Sequence, residues 1–365
     1  MTIWRWFSQS VVFPVGKALR QWISASWALL GLVVLCAGLV ISCQGSTPVD
    51  SPPPISTSPS PVLPHPPLVD AASAPTVSGD RLLTHLRALT QERHDPVQRQ
   101  ATRRYIENVL SNQGWTYQEQ TFPGGVNVIA QRPGQVPEAH RLLVGAHYDT
   151  VAGTPGADDN ASGTAVVLEL AQLFSTVETP KGLTLAFFDL EERGVVGSAA
   201  FTDQPEALVD LDGAIILEML GYSCQRVGCQ QTPDELEVQP PTALGDFLAV
   251  VGDGEHPWLS AAFDQSRPPA ESALPLLTFN VPFKGLLTPI VLRSDHAPFW
   301  LKGIGAVMVS DTAFLRNPHY HQPTDTLETL DLTFLRESAQ TVATTVWQLL
   351  NVEVPLASFF ENSLS

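Results

Sequence analysis

Apolar segments of two different periods alternate along the chain from about residue 79 onward, and this alternation restricts the fold more than any other feature of the sequence. Short runs such as RLLVGAHY, LTLAFFDL and LDGAIILEML are apolar almost throughout, like strands that are buried on both faces. Longer runs such as SGTAVVLELAQLF and TFLRESAQTVATTVWQLL carry apolar residues at helical spacing. The alternation predicts a three-layer α/β/α fold, in which helices cover both faces of a mostly parallel, mixed central sheet.

Further segments extend this pattern over one domain. WTYQEQTF, VNVIAQR, FLAVVGD and GIGAVMVS are predicted strands, while DRLLTHLRALTQERH, with Asp80 as its N-cap, and VQRQATRRYIENVLSNQGW are predicted helices. No internal repeat is visible, so residues 79–365 are predicted to form a single domain. In sheets of this kind, ligands bind beyond the carboxyl ends of the strands, and the polar clusters of this chain follow those ends.

The first 78 residues have the composition of a targeting and linker region. Residues 27–42 form an uncharged apolar run, shorter than the ~20 residues that span a membrane, within a predicted signal peptide or membrane anchor at residues 1–43. The run ends in VISC, which resembles a bacterial lipobox and predicts a lipoprotein with lipid on Cys43; an uncleaved anchor is the alternative. Residues 44–78 contain ten prolines and are predicted to be a disordered linker. Both interpretations predict an exported, periplasmic or extracytoplasmic domain that is tethered to the membrane.

Charge and cysteine content limit the partners of the chain. Because the formal net charge is −17, the surface repels phosphate backbones, and we expect no binding to nucleic acid. The four cysteines include no CxxC pair, which excludes a structural zinc knuckle. Outside the cytoplasm Cys224 and Cys229 are expected to form a local disulfide, with two unpaired thiols as the alternative.

Two polar motifs flank the third predicted strand and the helix after it. In GAHYDT, His147 and Asp149 share one face of an extended strand, so Asp149 can hydrogen-bond the imidazole. The pair is either a satisfied core contact or part of a metal site, where a ligand histidine usually has such a carboxylate partner. In GADDNASG, Asp158 and Asp159 are adjacent; a cation would neutralise them, and a solvated helix N-terminus is the alternative.

Three further clusters carry carboxylates or histidines. Glu191 and Glu192 directly follow an apolar strand, where one can bind a metal while the other acts as a base, or both can be surface acids in a turn. Glu218 lies inside the apolar run AIILEML and therefore needs a partner or a metal. The segment NPHYHQPTDT contains His319 and His321.

Together the motifs GAHYDT, GADDNASG, LEERGVVGS, SDHAPFW and HYHQPTDT resemble those of the co-catalytic di-zinc aminopeptidases, the metallopeptidase family twenty-eight of bacterial leucyl-aminopeptidase type. The resemblance covers about residues 80–352. It implies a zinc-aminopeptidase-like fold with two Zn²⁺ per chain. It also implies hydrolysis of N-terminal residues from peptide substrates with a free N-terminus, by a water that bridges the two metals.

The resemblance also implies roles for single residues. The implied zinc ligands are His147 and Glu218 at the first metal, Glu192 and His321 at the second, and Asp159 between both. Glu191 would be the general base, Asp149 would orient His147, and His319 matches no ligand. Many relatives carry Asp where this chain has Glu218, so the first site is expected to be shifted or looser.

Three structural expectations remain from the sequence. The resemblance implies a cis peptide bond between Asp159 and Asn160. Asp295 and His296 match a motif near the family's cleft but are not predicted ligands. The four apolar residues of one later segment are interpreted either as the lining of a side-chain pocket or as ordinary core; they are Phe279, Phe283, Leu286 and Leu287.

Two other functions are compatible with this fold. A glutaminyl-cyclase-like protein would carry one zinc and catalyse an acyl transfer that closes a ring. A peptidase-like ectodomain could bind partners without catalysis, although the complete ligand set argues against it. The preferred N-terminal residue, the physiological substrate, the native metal and the oligomeric state are not determined by the sequence.

Overall fold

The computed structural model describes residues 68–236, 238–267 and 274–358. The predicted signal peptide or anchor at residues 1–43, Cys43 included, and most of the predicted linker lie outside these residues. In the described residues, no helix has the length and apolar character needed to cross a membrane.

The described residues contain eight strands and eight α-helices. The strands are β1 (Thr116–Phe122), β2 (Gly125–Arg132), β3 (Arg141–His147), β4 (Gly182–Phe188), β5 (Leu211–Glu218), β6 (Leu248–Asp253), β7 (Leu276–Val281) and β8 (Ala306–Ser310). The helices are α1 (Gly79–Leu89), α2 (Pro96–Asn112), α3 (Gly163–Phe174), α4 (Val196–Thr202), α5 (Pro205–Leu208), α6 (Pro257–Gln265), α7 (Ala297–Leu301) and α8 (Leu332–Leu350).

All eight strands form one sheet in the order β1-β2-β4-β3-β5-β8-β6-β7. The pairs β3/β4, β3/β5, β5/β8 and β6/β7 are parallel, whereas β1/β2, β2/β4 and β6/β8 are antiparallel. The predicted mixed, mostly parallel α/β sheet is therefore confirmed. Parallel strands β4, β3, β5 and β8 lie side by side at the centre, so that their carboxyl ends meet at one edge.

Alternating side chains of the central strands build two separate apolar cores, one on each face of the sheet. Leu142 and Val144 of β3 belong to the larger core, beneath α1, α2, α3 and α8, while Leu143 of the same strand faces the smaller core. Burial on both faces explains why these strands are apolar without interruption.

The packed region begins earlier than the predicted start at Gly79. Val77 is buried in the larger core, and Leu68 packs against it. The side chain of Gln348 in α8 donates to the carbonyl of Val69, which fixes this entering segment. The N-cap of α1 is Ser78 rather than the predicted Asp80, because the Ser78 hydroxyl accepts the N–H of Arg81.

Candidate metal centre

The site begins at two neighbouring strand ends. His147 is the last residue of β3 and Glu218 the last residue of β5, and these two strands pair in parallel. Their side chains consequently meet at the carboxyl edge, with His147 Nε2 3.5 Å from Glu218 Oε1. The second carboxylate oxygen of Glu218 accepts a hydrogen bond of 2.6 Å from the Ser294 hydroxyl. The longer Glu side chain at this position therefore still reaches the histidine.

Asp159 joins this pair from the turn that precedes α3. Its Oδ1 lies 3.4 Å from His147 Nε2, and its Oδ2 lies 3.2 Å from His321 Nε2. The peptide bond between Asp159 and Asn160 is cis, as expected from the resemblance. His147, Asp159 and Glu218 form the first group of metal-compatible side chains.

A second group contains Asp159, Glu192 and His321. Glu192 lies in the turn after β4, and His321 lies in the long connection between β8 and α8. His321 Nε2 is 3.0 Å from Glu192 Oε2. Asp159 is the member common to both groups, with one carboxylate oxygen directed at each histidine.

Asp149 and Glu191 lie beside the two groups. The predicted partner of the His147 imidazole, Asp149, lies beside it, with Asp149 Oδ1 3.5 Å from His147 Nδ1. The carboxylate of Asp149 also accepts the backbone N–H groups of Glu191 at 3.0 Å and Glu192 at 3.3 Å. Asp149 thus fixes the turn that carries both glutamates. Glu191 Oε2 lies 4.0 Å from His147 Nε2.

Several buried polar atoms of the two groups have no hydrogen-bond partner within the described chain. These atoms are both ring nitrogens of His147, Oδ2 of Asp159 and Oε1 of Glu192. Burial and the charge of Asp159 raise the pKa of Glu192 to about 7. Burial also raises the pKa of Glu191 well above its usual value; His147 opposes the shift, and Glu218 adds to it. Unsatisfied imidazole and carboxylate atoms at this spacing fit metal ions of the zinc type.

The other predicted residues lie outside these groups. His319 Nδ1 contacts the hydroxyl of Thr324 at 2.9 Å, and His319 is a member of neither metal-compatible group. Asp295 is buried and accepts a hydrogen bond of 2.5 Å from Ser198, while His296 Nε2 contacts the carbonyl of Val291. Neither belongs to a metal-compatible group among the described residues.

Two residues that the sequence analysis assigned no role support the Asp159 turn. Arg93 is fully buried, and its guanidinium donates to the carbonyls of Tyr148 at 2.8 Å and Gly156 at 3.0 Å. Asp325 accepts the N–H groups of Asp158 at 2.9 Å and Asp159 at 3.1 Å. Asp325 was visible within HYHQPTDT, but no local pattern distinguishes Arg93 from a surface arginine.

Tyr320 was also quoted in that motif without a role. Its ring stacks on the imidazole of His321, with centroids 3.8 Å apart and planes 18° apart. It thereby restricts the orientation of the His321 ring and forms part of the wall between the second group and the adjoining cavity.

An apolar cavity of about 100 Å³ adjoins Glu218. Its mainly apolar lining comes from β6, β7, β8 and the loops around them, and includes Phe247, Val251, Phe279, Met308 and Phe314. Four residues were predicted either to line a side-chain pocket or to belong to the core. Of these, only Phe279 lines the cavity, and it also packs against the smaller core. Phe283, Leu286 and Leu287 are exposed instead, because the turn after β7 turns them to the surface.

Cys224 and Cys229 form the expected disulfide in the segment that follows β5. The backbones of Cys224 and Gly245 also form an isolated β-bridge, which ties this segment to the residues just before β6. The residues directly after the disulfide, Gln230 to Pro233, line the cavity. The disulfide therefore stabilises one wall of the cavity beside Glu218.

Fold and site together define a three-layer α/β protein whose side chains gather as ligands of metal ions do. The sequence profile of Peptidase family M28 matches residues 127–243 and 276–346, and the chain belongs to this family of peptide hydrolases. The matched residues include every member of the two groups.

The relatives differ in length and in what their names describe. The chain is 33% identical over 282 residues to the uncharacterized protein YfbL of Escherichia coli, covering 70% of this chain and 83% of YfbL. It is 27% identical to the aminopeptidase YwaD of Bacillus subtilis, over 62% of this chain and 45% of YwaD. The chain thus spans less than half the length of that aminopeptidase.

Two solved structures share the fold. An aminopeptidase from Aneurinibacillus sp. strain AM-1 has a TM-score of 0.59 at 16% identity, covering 77% of this chain and 96% of that chain. A glutaminyl cyclase of Porphyromonas gingivalis has a TM-score of 0.56 at 20% identity, covering 75% and 99%. At these identities the likeness defines the fold, and the site must distinguish the activities.

Proposed function

We propose that the protein is a zinc-dependent aminopeptidase that hydrolyses N-terminal residues from peptides at two adjacent metals. The observation that carries the proposal is the shared position of Asp159 between two histidine–carboxylate groups. The aminopeptidase name of YwaD supports the exopeptidase activity.

The proposed ligands of the first Zn²⁺ are His147, Asp159 and Glu218, and those of the second are Asp159, Glu192 and His321. When bound, two such ions would polarise the substrate carbonyl and lower the pKa of a water between them. Three ligand carboxylates offset most of the charge of two divalent ions, which matters in a poorly solvated site.

Glu191 is the proposed general base. Its carboxylate faces the first group, with Oε2 4.0 Å from His147 Nε2, so that it can take a proton from a water held there and return it. In this role Glu191 takes the proton of the attacking water and delivers it to the leaving nitrogen. Asp149 serves as a positioning residue, because its two oxygens hold the N–H groups of the turn that carries Glu191.

The selectivity for a free N-terminus follows from the same carboxylates. The free α-amino group of the substrate would dock beside the first group, where Glu191 Oε2 lies 4.0 Å and Glu218 Oε1 3.5 Å from His147 Nε2. The side chain of the N-terminal residue then enters the apolar cavity that adjoins Glu218. We therefore propose a preference for apolar N-terminal residues.

A glutaminyl-cyclase-like acyl transfer is the second candidate, since a cyclase shares the fold. One metal would suffice for that reaction. The close approach of Glu192 and His321 to the second oxygen of Asp159 favours the two-metal peptidase. For the location we propose an exported domain tethered by lipid on Cys43 or by an uncleaved anchor.

The test measures zinc content per chain together with hydrolysis of leucine p-nitroanilide and cyclisation of an N-terminal glutaminyl peptide. Two zinc ions with nitroanilide hydrolysis support the proposal. One zinc with cyclisation would replace it by the cyclase. A metal-free, inactive protein that still folds would support a binding domain.

A further inference from the structure

Arg293 differs from the other charged residues around the cavity. It lies at the boundary between the cavity and the metal-compatible groups, directly before Ser294, whose hydroxyl holds Glu218. It is the one cationic side chain among the described residues that line the cavity. Unlike the buried walls formed by Phe247 and Val251, it is exposed, which places its charge at the mouth.

The guanidinium of Arg293 is held in place but has no counter-charge among the described residues. Its Cζ lies 4.6 Å from the centroid of the Phe314 ring, a cation–π contact that fixes the side chain against the wall. No carboxylate oxygen of the described chain approaches within 4.0 Å of its nitrogens.

A nearby arginine shows the contrast. Arg316 also stacks on an aromatic residue of the cavity wall, but it is buried and its donors are used. Its Nη2 donates to the carbonyl of Phe247 and its Nε to Gln230 Oε1, both at 2.8 Å. Arg316 supports the wall residue Phe247 from within the core, whereas Arg293 is exposed and makes no hydrogen bond to the described residues.

We infer that Arg293 binds a carboxylate of the substrate, on the residue that follows the scissile bond. This inference rests on the proposed function, which places the N-terminal side chain in the apolar cavity. A carboxylate inside that cavity would be desolvated by apolar walls, so the carboxylate that meets Arg293 belongs to the part of the substrate left at the mouth. The planar guanidinium can hold it in a bidentate pair.

The substrate class is therefore short peptides with an acidic end beside the cleaved bond. In a dipeptide, the C-terminal carboxylate occupies this position. In a longer peptide, an acidic side chain of the second residue offers the same chemistry. Without such a group, the substrate lacks a counter-charge for Arg293.

The experiment compares kcat/KM of the zinc-loaded protein for Leu-Ala, Leu-Ala-amide and Leu-Asp-amide. Arg293→Gln is the test variant, and Arg336→Gln is the matched control, because Arg336 is exposed on α8 and pairs with Glu337 at 3.6 Å. Charge-assisted hydrogen bonds predict that Arg293→Gln lowers kcat/KM for a carboxylate substrate roughly 10- to 100-fold more than for Leu-Ala-amide, mainly through KM. Arg293→Lys should retain part of the preference, since it keeps the charge and loses the planar fork.

The outcomes separate the possible sources of the carboxylate. A selective loss with Leu-Ala assigns the site to the peptide C-terminus, and a selective loss with Leu-Asp-amide assigns it to an acidic side chain; either supports the inference. An equal loss with all three peptides, or a wild-type enzyme without preference for either carboxylate, would overturn it. Cleavage of none of the three by the zinc-loaded wild type would overturn the proposed function, and the inference with it.

Discussion

The two metal-compatible groups share Asp159 but differ in how the fold holds them. The first group takes His147 and Glu218 from the ends of adjacent central strands, and only 1% of the His147 side chain is exposed. The second group takes Glu192 and His321 from connecting segments, and 31% of the His321 side chain is exposed. The first group is thus positioned by the sheet itself, whereas the second depends on turns and on contacts such as the stacking of Tyr320.

Because of this difference, the first group is a fixed metal site and the second group is an accessible one. Strand ends in a parallel sheet keep their spacing through the backbone hydrogen bonds of the ladder. Turns keep theirs through a few side chains, so a ligand on a turn can adjust when substrate arrives. We therefore expect the first metal to be held more tightly and the second to exchange more readily.

The largest effect is expected from a substitution that removes the link between the two groups. Asp159→Asn takes away the one carboxylate that faces both histidines, so both zinc ions should be lost and hydrolysis should fall to background. Zinc analysis of the purified protein checks this, with Asp80→Asn, an exposed residue of α1, as the control. Full zinc content in the Asn variant would show that the groups do not depend on Asp159.

The next largest effect is expected from a substitution that impairs the chemical step and leaves metal binding intact. Glu191→Gln keeps the size of the side chain and removes the base, so both zinc ions should remain while kcat falls roughly 10²- to 10⁴-fold. The exposed Glu328→Gln serves as the control. Turnover close to that of the wild type in the zinc-loaded variant would exclude Glu191 as the base.

A smaller effect distinguishes the two groups directly. Ser294 contacts only the first group, through Glu218. Ser294→Ala should weaken the first zinc by roughly 10- to 100-fold, as loss of a residue that orients a ligand commonly does, and leave the second unchanged. Competition with a zinc-binding dye measures both affinities. Equal weakening at both positions would show that the groups are not independent.

The smallest effect concerns the rate of metal loss. Because His321 is more exposed than His147, a chelator should remove the second zinc first and leave a species with one zinc. Zinc content sampled during the chelation follows this species. Simultaneous loss of both ions would remove the distinction between a fixed and an accessible site.

The site residues at the strand ends could be predicted from the sequence, because the sequence signals of a buried strand and its end are local. An apolar run marks a buried strand, and the polar residue that closes it must lie at the sheet edge, as His147 and Glu218 do. The assignment of the set to one site came from the resemblance of several motifs to a known family. The cis bond and the disulfide were likewise foreseen and are present.

Other features depend on contacts that no local pattern encodes. Arg93 supports the Asp159 turn through carbonyl groups, which leave no trace in the sequence. Strand β7 was not identified because it is a half-exposed edge strand, and its Phe279 was weighed only as pocket or core. The exposure of Phe283 contradicts both interpretations offered for it, since apolar composition predicts burial only on average.

Zinc titration of the metal-free protein tests the central claim most directly. The wild type and His319→Ala should each bind two equivalents per chain, because His319 contacts Thr324 rather than the ligand atoms. His147→Ala should lose the tighter binding event, and His321→Ala should lose the weaker one. A single equivalent in the wild type, or identical losses in the His147 and His321 variants, would contradict a site built from two groups joined by Asp159.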